Sequence, residues 1–215
     1  MSQVTNGIRA MLSSPLVYDN FQWLMGGRVG RTDFARHMVK AVAGSRVLDI
    51  GCGTGGLLAF LPPGVDYWGS DVSPAYIAAA RTRFGSRGHF ECGLLRDADV
   101  LALPPFDIVI ASGVLHHLDD DGVTGLFTLA RTALRAGGRF VSIDGTLVPG
   151  QNRLARFLIT RDRGQNVRDP EGYLRLARPV FDEVWGTLRH RRWIPYTHWM
   201  MEGTVARQDG PARRD

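Results

Sequence analysis

The sequence predicts an α/β architecture: an open sheet of seven strands, mostly parallel with an antiparallel last strand, and helices on both faces. Three observations predict it. Five short apolar runs between Arg46 and Ile143 are spaced by helix-like stretches, the rhythm of parallel strands joined by crossovers. The first run, Val47-Leu48-Asp49-Ile50, breaks into a loop holding Gly51, Gly53, Gly55 and Gly56. Two further strands, about 180–189 and 194–202, come one after the other without a helix, as an antiparallel pair at a sheet edge does.

The elements are taken in chain order. Val17, Phe21, Leu24 and Met25 fall at helical spacing and stop at Gly26-Gly27, so residues 1–30 form an N-terminal helical lid. Thr32 or Asp33 caps a second helix over about 33–43. Arg46 to Ile50 is the first strand, and helix-like material runs from Gly55 to Leu61 before Pro62-Pro63 stops it. Val65 to Ser70 is the second strand, closed by Asp71. Ser73-Pro74, a cap followed by proline, opens a helix to Phe84. His89–Gly93 and Phe106–Ala111 are the third and fourth strands. A helix over about 122–135 ends at Gly137-Gly138, and Arg139–Ile143 is the fifth strand. Residues from about 150 to 180 break the rhythm as a helical insertion with two short helices. The segment 31–205 makes one domain, and 206–215 is a polar tail expected to be disordered.

Composition narrows the class. Hydrophobic residues at 44% and charged residues at 22% suit a globular domain with a sizeable core. No apolar run reaches the roughly 20 residues that span a bilayer, and the first residues lack the pattern of a signal peptide. Two cysteines, Cys52 and Cys92, fit free thiols in a cytoplasmic setting better than a disulfide framework. The net charge of +5 comes largely from arginines in the last third. They are not interleaved with aromatic side chains as a single-strand platform requires, which argues against nucleic acid as the partner. Nothing in the chain fixes an oligomeric state.

The glycine loop carries the chemistry. Gly51, Gly53 and Gly56 satisfy G-x-G-x-x-G, which by itself invites a nicotinamide dinucleotide. Two features argue otherwise. Asp49 ends the strand just ahead of the loop, where a carboxylate would repel a pyrophosphate and attract a cation. After five strands only about 70 residues remain, too few for a separate substrate domain. Asp71 ends the second strand, 22 residues after Asp49, where an acid bonds ribose hydroxyls. Together they describe a pocket for a nucleoside that bears positive charge and no phosphate, which fits S-adenosyl-L-methionine.

Here the chain resembles a known family. Val47-Leu48-Asp49-Ile50-Gly51-Cys52-Gly53-Thr54-Gly55 is similar to motif I of the class I S-adenosylmethionine-dependent methyltransferases. Asp71 with Val72-Ser73-Pro74 is similar to their ribose-binding acid. Phe106-Asp107-Ile108-Val109 with Val114-Leu115-His116-His117-Leu118 resembles motif IV and the helix after it. Leu134-Arg135-Ala136-Gly137-Gly138 resembles the entry to strand five. The likeness covers roughly 30–205, is closest to the small-molecule branch that includes quinone-biosynthesis enzymes, and implies a Rossmann-like fold. One departure stands out: the acid common after strand three is replaced by Leu94, in Gly93-Leu94.

The resemblance implies transfer of a methyl group from S-adenosylmethionine to a small-molecule acceptor. Asp49 would orient the methionine amino group, with Gly51, Cys52 and Gly53 lining that half and Arg31 (or Arg28) pairing the carboxylate. Asp71 and Val72 would hold the ribose, Leu94 and Leu95 the adenine, and Ala111 and Ser112 the sulfonium end. His117 is the candidate base or acceptor-orienting group, since a hydroxyl acceptor benefits from a base that titrates near neutrality. His116 is the neighbour packed under the sheet edge. With no third ligand evident, the pair makes no metal site. Tyr173, Tyr196 and His198 are candidates for acceptor binding. Tyr196 and His198 share one strand face and Trp199 takes the other. Two other readings stand beside this one: a nicotinamide-dependent oxidoreductase, and a non-catalytic S-adenosylmethionine-binding module. Strand four ends at Ala111-Ser112-Gly113-Val114, without the Asn/Asp-Pro-Pro-Tyr/Phe signature of methylation on base nitrogens.

Overall fold

Strand β1 (Arg46–Ile50) lies at the middle of the sheet, because Val47 and Leu48 carry apolar side chains to opposite faces and need cover on both. The computed structural model describes residues 27–160, 166–191 and 194–207. Around β1 are β2 (Asp66–Asp71), β3 (His89–Cys92), β4 (Phe106–Ser112), β5 (Leu134–Gly145), β6 (Glu183–Arg191) and β7 (Ile194–Thr204), in the order β3-β2-β1-β4-β5-β7-β6. The first five pair in parallel, and β7 runs antiparallel between β5 and β6. The order reverses between β1 and β4, which is where open α/β sheets bind ligands, at the carboxyl ends of the strands.

Two cores flank the sheet. One face is covered by α1 (Gly27–Phe34) and α2 (Pro74–Phe84), whose Phe34 and Ile77 bury with Tyr67, Phe90 and Ile110. The other is covered by α3 (Asp97–Leu101), α4 (Asp120–Ala133) and α6 (Pro170–Ala177), with α5 (Arg153–Thr160) lying against β7. On that second face Phe127, Phe140 and Phe181 form a ring cluster with centroids 5.2–5.7 Å apart. The strands alternate as a two-sided sheet must: Ile108 and Ile110 join one core, Val109 and Ala111 the other.

The Ser73-Pro74 helix start agrees with the sequence: Ser73 accepts from the Tyr76 N–H and Pro74 occupies a first-turn position. Asp119 and Asp169 cap two further helices by accepting from the N–H groups of Gly122 and Gly172. Helices α5 and α6 are the two short helices expected in the insertion.

Four local expectations are corrected. The 55–61 stretch is a series of turns ending in a single 3₁₀ turn, Leu58–Phe60; two glycines at its start and Pro62-Pro63 at its end leave too few residues to nucleate an α-helix. The helix placed at 33–43 starts earlier, as α1, and closes through a π-turn at Ala35–Val39 that stops at Lys40 in the left-handed region. It is pinned there by Arg139, which donates to the carbonyls of Met38 and Val39 and pairs with Glu202 at 2.8 Å. The helix at 122–135 gives way at Ala133, and β5 begins at Leu134, well ahead of Arg139. The segment carrying His116 and His117 is a 3₁₀ turn, Leu115–His117. Helix α3 fills the crossover between β3 and β4 that the alternation demands but that the sequence pattern leaves unmarked. The lid helix at Val17–Met25 and the tail from Gln208 lie outside the described residues.

Candidate active site

At the carboxyl end of β1 the chain turns sharply. Gly51 sits at φ +73°, and a Cβ there would meet Val114 Cγ2 at 2.5 Å, so the loop approaches the β4 side as only glycine permits. The N–H groups of Gly51 and Cys52 donate to the Ser70 carbonyl, and the Gly53 N–H donates to Asp71 Oδ2 at 3.0 Å. Asp71 Oδ1 accepts from the Ser73 N–H at 2.8 Å. The acid at the end of β2 is thus held at the rim of the glycine loop, half-buried, with Val72 exposed beside it.

Asp49 is buried at the floor of this loop. Its Oδ2 accepts from the Tyr67 hydroxyl at 2.6 Å, while Oδ1 has no hydrogen-bond partner among the described residues. Burial raises its carboxyl to about 7; the Tyr67 bond pulls it down, the Asp71 charge pushes it up, and Arg31 pulls it down again. Arg31 comes from α1 and lies against the loop: a Cβ on Gly56 would sit 2.8 Å from its Nη1. Burial and the Asp49 charge raise the Tyr67 hydroxyl, so it stays a donor. Burial with the two acids pushes the Cys52 thiol up as well, making it a contact surface and no nucleophile.

This donor set fits a cationic nucleoside. A buried carboxylate oxygen without a partner costs about 1–3 kcal/mol or more, and an ammonium group from a bound ligand would satisfy it. The adenine side is open: Leu94 is exposed and Leu95 half-buried after β3. Asp97, another possible adenine contact, opens the exposed start of α3, where Arg96 and Asp99 bond each other. Ala111 is fully buried in β4, and Ser112 is exposed at its end.

The second half of the site lies at the ends of β4 and β5. His116 is buried, and its Nδ1 lies 2.8 Å from Asp144 Oδ1, which also accepts from the His116 N–H at 3.3 Å. Asp144 Oδ2 has no hydrogen-bond partner among the described residues. Burial raises the Asp144 carboxyl, and the His116 bonds act against that rise. The Cε1 edge of His116 faces Gly113, 3.9 Å from where a Cβ would stand. His117 is half-buried and packs on the His116 ring, centroids 4.2 Å apart. A carboxylate fixing one imidazole nitrogen sets the tautomer and the direction of the ring. That arrangement belongs to His116, the neighbour of the residue the sequence singles out. Its partner Asp144, 28 residues away, carries no local signal that marks it.

The three acceptor-site candidates do not meet. Tyr173 is fully buried among the α4/α6 core, its hydroxyl donating to the Gly145 carbonyl at 2.9 Å. Tyr196 and His198 share a face, as their spacing requires, with rings 4.7 Å apart. Their face is the Met200 side, under α1, while Trp199 joins the opposite core. Tyr173 therefore supports β5 from behind, and the other two lie on the α1 side of the sheet.

Comparison with known proteins agrees with this geometry. Residues 48–140 match a family described as "Methyltransferase domain". The chain is 41% identical over 112 residues to polyketide synthase ThaG of Burkholderia thailandensis, covering 46% of this chain and 2% of that one. It is 33% identical over 107 residues to a ubiquinone biosynthesis O-methyltransferase of Nitrobacter winogradskyi, covering 47% of this chain and 40% of the relative. The chain spans less than half the length of these curated relatives. Among solved structures, the S-adenosylmethionine-dependent methyltransferase SibL superposes with a TM-score of 0.69 at 18% identity, over 94% of this chain and 60% of that one, a likeness of fold.

Proposed function

We propose, from the match of residues 48–140 to a family described as a methyltransferase domain and from the geometry of the site, that the chain transfers a methyl group from S-adenosylmethionine to the hydroxyl of a small organic acceptor. The observation that carries the reading is the unpartnered Asp49 oxygen under the glycine loop, set against a buried His116–Asp144 pair at the end of β4 and β5. The first suits the ammonium of the methyl donor, and the second suits removal of a proton from the acceptor.

When bound, the donor supplies an electrophilic methyl on a sulfonium. The chain then has three tasks. Asp49 and Arg31 hold the amino-acid head, with Gly51, Cys52 and Gly53 in backbone contact. Asp71 and Val72 hold the ribose, Leu94 and Leu95 cover the adenine, and Ala111 and Ser112 border the sulfonium. These residues would set an acceptor oxygen in line with that methyl, and His116 would take the acceptor's proton. Alignment supplies most of the acceleration, and the base adds roughly 10²–10⁴. His117 orients the acceptor from its half-buried place beside His116. Tyr196 and His198 border the acceptor on the α1 side, Tyr173 backs them through Gly145, and the described part of the 150–180 insertion roofs the pocket. Cys52 and Cys92 are both free thiols, which supports a cytoplasmic place. Among the described residues no helix is long and apolar enough to cross a membrane.

The test is titration of S-adenosylhomocysteine into the protein, followed by methyl transfer from labelled S-adenosylmethionine to a panel of phenols and hydroxy acids. Micromolar binding and a labelled ether product support the reading. Stabilisation by a nicotinamide dinucleotide alone would overturn it, and binding without transfer to any acceptor would leave a binding module.

A further inference from the structure

The turn that carries His116 and His117 is short. As a 3₁₀ turn of three residues it closes on two bonds of its own, His117 N–H to the Val114 carbonyl and Leu118 N–H to the Leu115 carbonyl. A segment distant in sequence adds further bonds to its carbonyls. Arg168, which precedes α6, directs its Nη1 to the Leu115 carbonyl at 3.2 Å and its Nη2 to the Leu118 carbonyl at 2.9 Å, one on each side of the two histidines. Nη1 also donates to the Asn166 carbonyl at 3.0 Å, and Nε and Nη2 reach Asp120 Oδ1 at 3.0 and 2.7 Å. The guanidinium has five N–H groups, and these five bonds employ all of them. The Asn166 N–H adds a bond to the His116 carbonyl at 3.1 Å.

The same segment is tied to the strand that supplies Asp144. Thr146 Oγ1 and the Leu147 N–H both donate to the Arg168 carbonyl, at 2.9 and 3.3 Å. The Arg168 side chain is only 11% exposed, although its acid partner Asp120 is 52% exposed, and its guanidinium lies 5.9 Å from the Tyr173 ring. A surface ion pair has no need of such burial or of two carbonyls far apart on a turn. A planar fork that bonds carbonyls on two sides fixes a backbone geometry that a lysine point charge cannot.

We propose that Arg168 is a positioning residue for methyl transfer. It fixes the carbonyl frame of the Leu115–His117 turn from outside while Asp144 holds His116 from inside, and the two together set the direction of the His116 imidazole. The proposal rests on His116 being the group that takes the acceptor proton. It also gives the insertion a second task besides covering the pocket, since the residue that locks the histidine turn belongs to it.

The experiment uses the full chain with S-adenosylhomocysteine bound and observes the histidine rings by proton–nitrogen NMR. In the parent protein, His116 shows an Nδ1–H signal protected from exchange by Asp144. In Arg168→Met and Arg168→Lys this signal broadens or disappears, while S-adenosylhomocysteine affinity stays within threefold. In Asp120→Asn, which keeps the carbonyl bonds, the signal persists. An unchanged His116 signal in Arg168→Lys would overturn the proposal, and that variant decides should Arg168→Met fail to fold. The base assignment is separately readable: a His116→Gln variant that methylates the phenol panel at the parent rate sinks that reading without touching the NMR result.

Discussion

The two halves of the site are built by opposite means. At the ends of β1 and β2, a loop of glycines surrounds a buried acid with one oxygen unsatisfied. At the ends of β4 and β5, a buried imidazole is bonded to a carboxylate, and its turn is stitched to Arg168. The first half stores an unmet interaction that a cationic ligand relieves. The second also keeps one carboxylate oxygen without a partner among the described residues, but there the acid holds an imidazole, and what it offers is a fixed direction. The difference teaches that binding and chemistry are separable here. A substitution in one half should leave the other's readout largely unmoved.

The largest expected effect is on the chemical half. His116→Gln should lower kcat by roughly 10²–10⁴ while leaving S-adenosylhomocysteine affinity within a few-fold, measured by rapid methyl-transfer assay and calorimetry. If both fall together, the halves are not separate. Next is the binding half. Asp49→Asn removes a charge-assisted bond of about 1.5–3 kcal/mol, so affinity should drop by about 10- to 150-fold, with the His116 ring signals unchanged.

A third effect has opposite signs in the free and bound protein. Asp49 titrates at about 7 in the fold, against 3.8 for an ordinary carboxyl. The folded chain therefore holds a proton that the unfolded chain has lost between those values. Asp49 thus weighs against folding more heavily as pH rises from about 4 to about 7, reaching about 4 kcal/mol above that. Relative to the parent, ligand-free Asp49→Asn should gain melting temperature as pH rises toward 8, by at least about 3 °C. A stability difference that stays flat with pH would mean Asp49 is ionised at low cost. The smallest effect is expected far from either half. Arg135 pairs with Asp107 at the opposite end of β4 and is half-exposed, so Arg135→Ala should cost about 0–1 kcal/mol in chemical denaturation and change neither binding nor turnover.

The same contrast explains how much was legible in the sequence. The binding half is nearly contiguous: Asp49, the glycines and Asp71 are read from one loop and one strand end, and the strand-and-acid pattern carries their chemistry. The sheet was equally legible, because the apolar run at Ile108–Ala111 and the cap at Ser73 are local signals. The chemical half is not local. Asp144 reads as one more strand residue, and Arg168 as one of many arginines, until the fold brings them to His116 from 28 and 52 positions away. Choosing between adjacent histidines required knowing which of them faces β5. Tyr173 illustrates the same limit: the sequence offers it for acceptor binding, but only the packing of α6 on the sheet buries it and sends its hydroxyl to the Gly145 carbonyl. The Gly55–Leu61 stretch shows the reverse, since apolar residues there serve the core without forming a helix.

The central claim is that one oxygen of Asp49 is kept open for a cationic cofactor. It is tested most directly by calorimetric titration of S-adenosylhomocysteine into the parent protein and Asp49→Asn between pH 5.5 and 7.5. In the parent, affinity should rise as pH increases through the Asp49 titration, approaching tenfold per unit below about pH 7. In Asp49→Asn it should be weak and nearly flat. Equal affinities in the two proteins, or the same pH dependence in both, would contradict the claim.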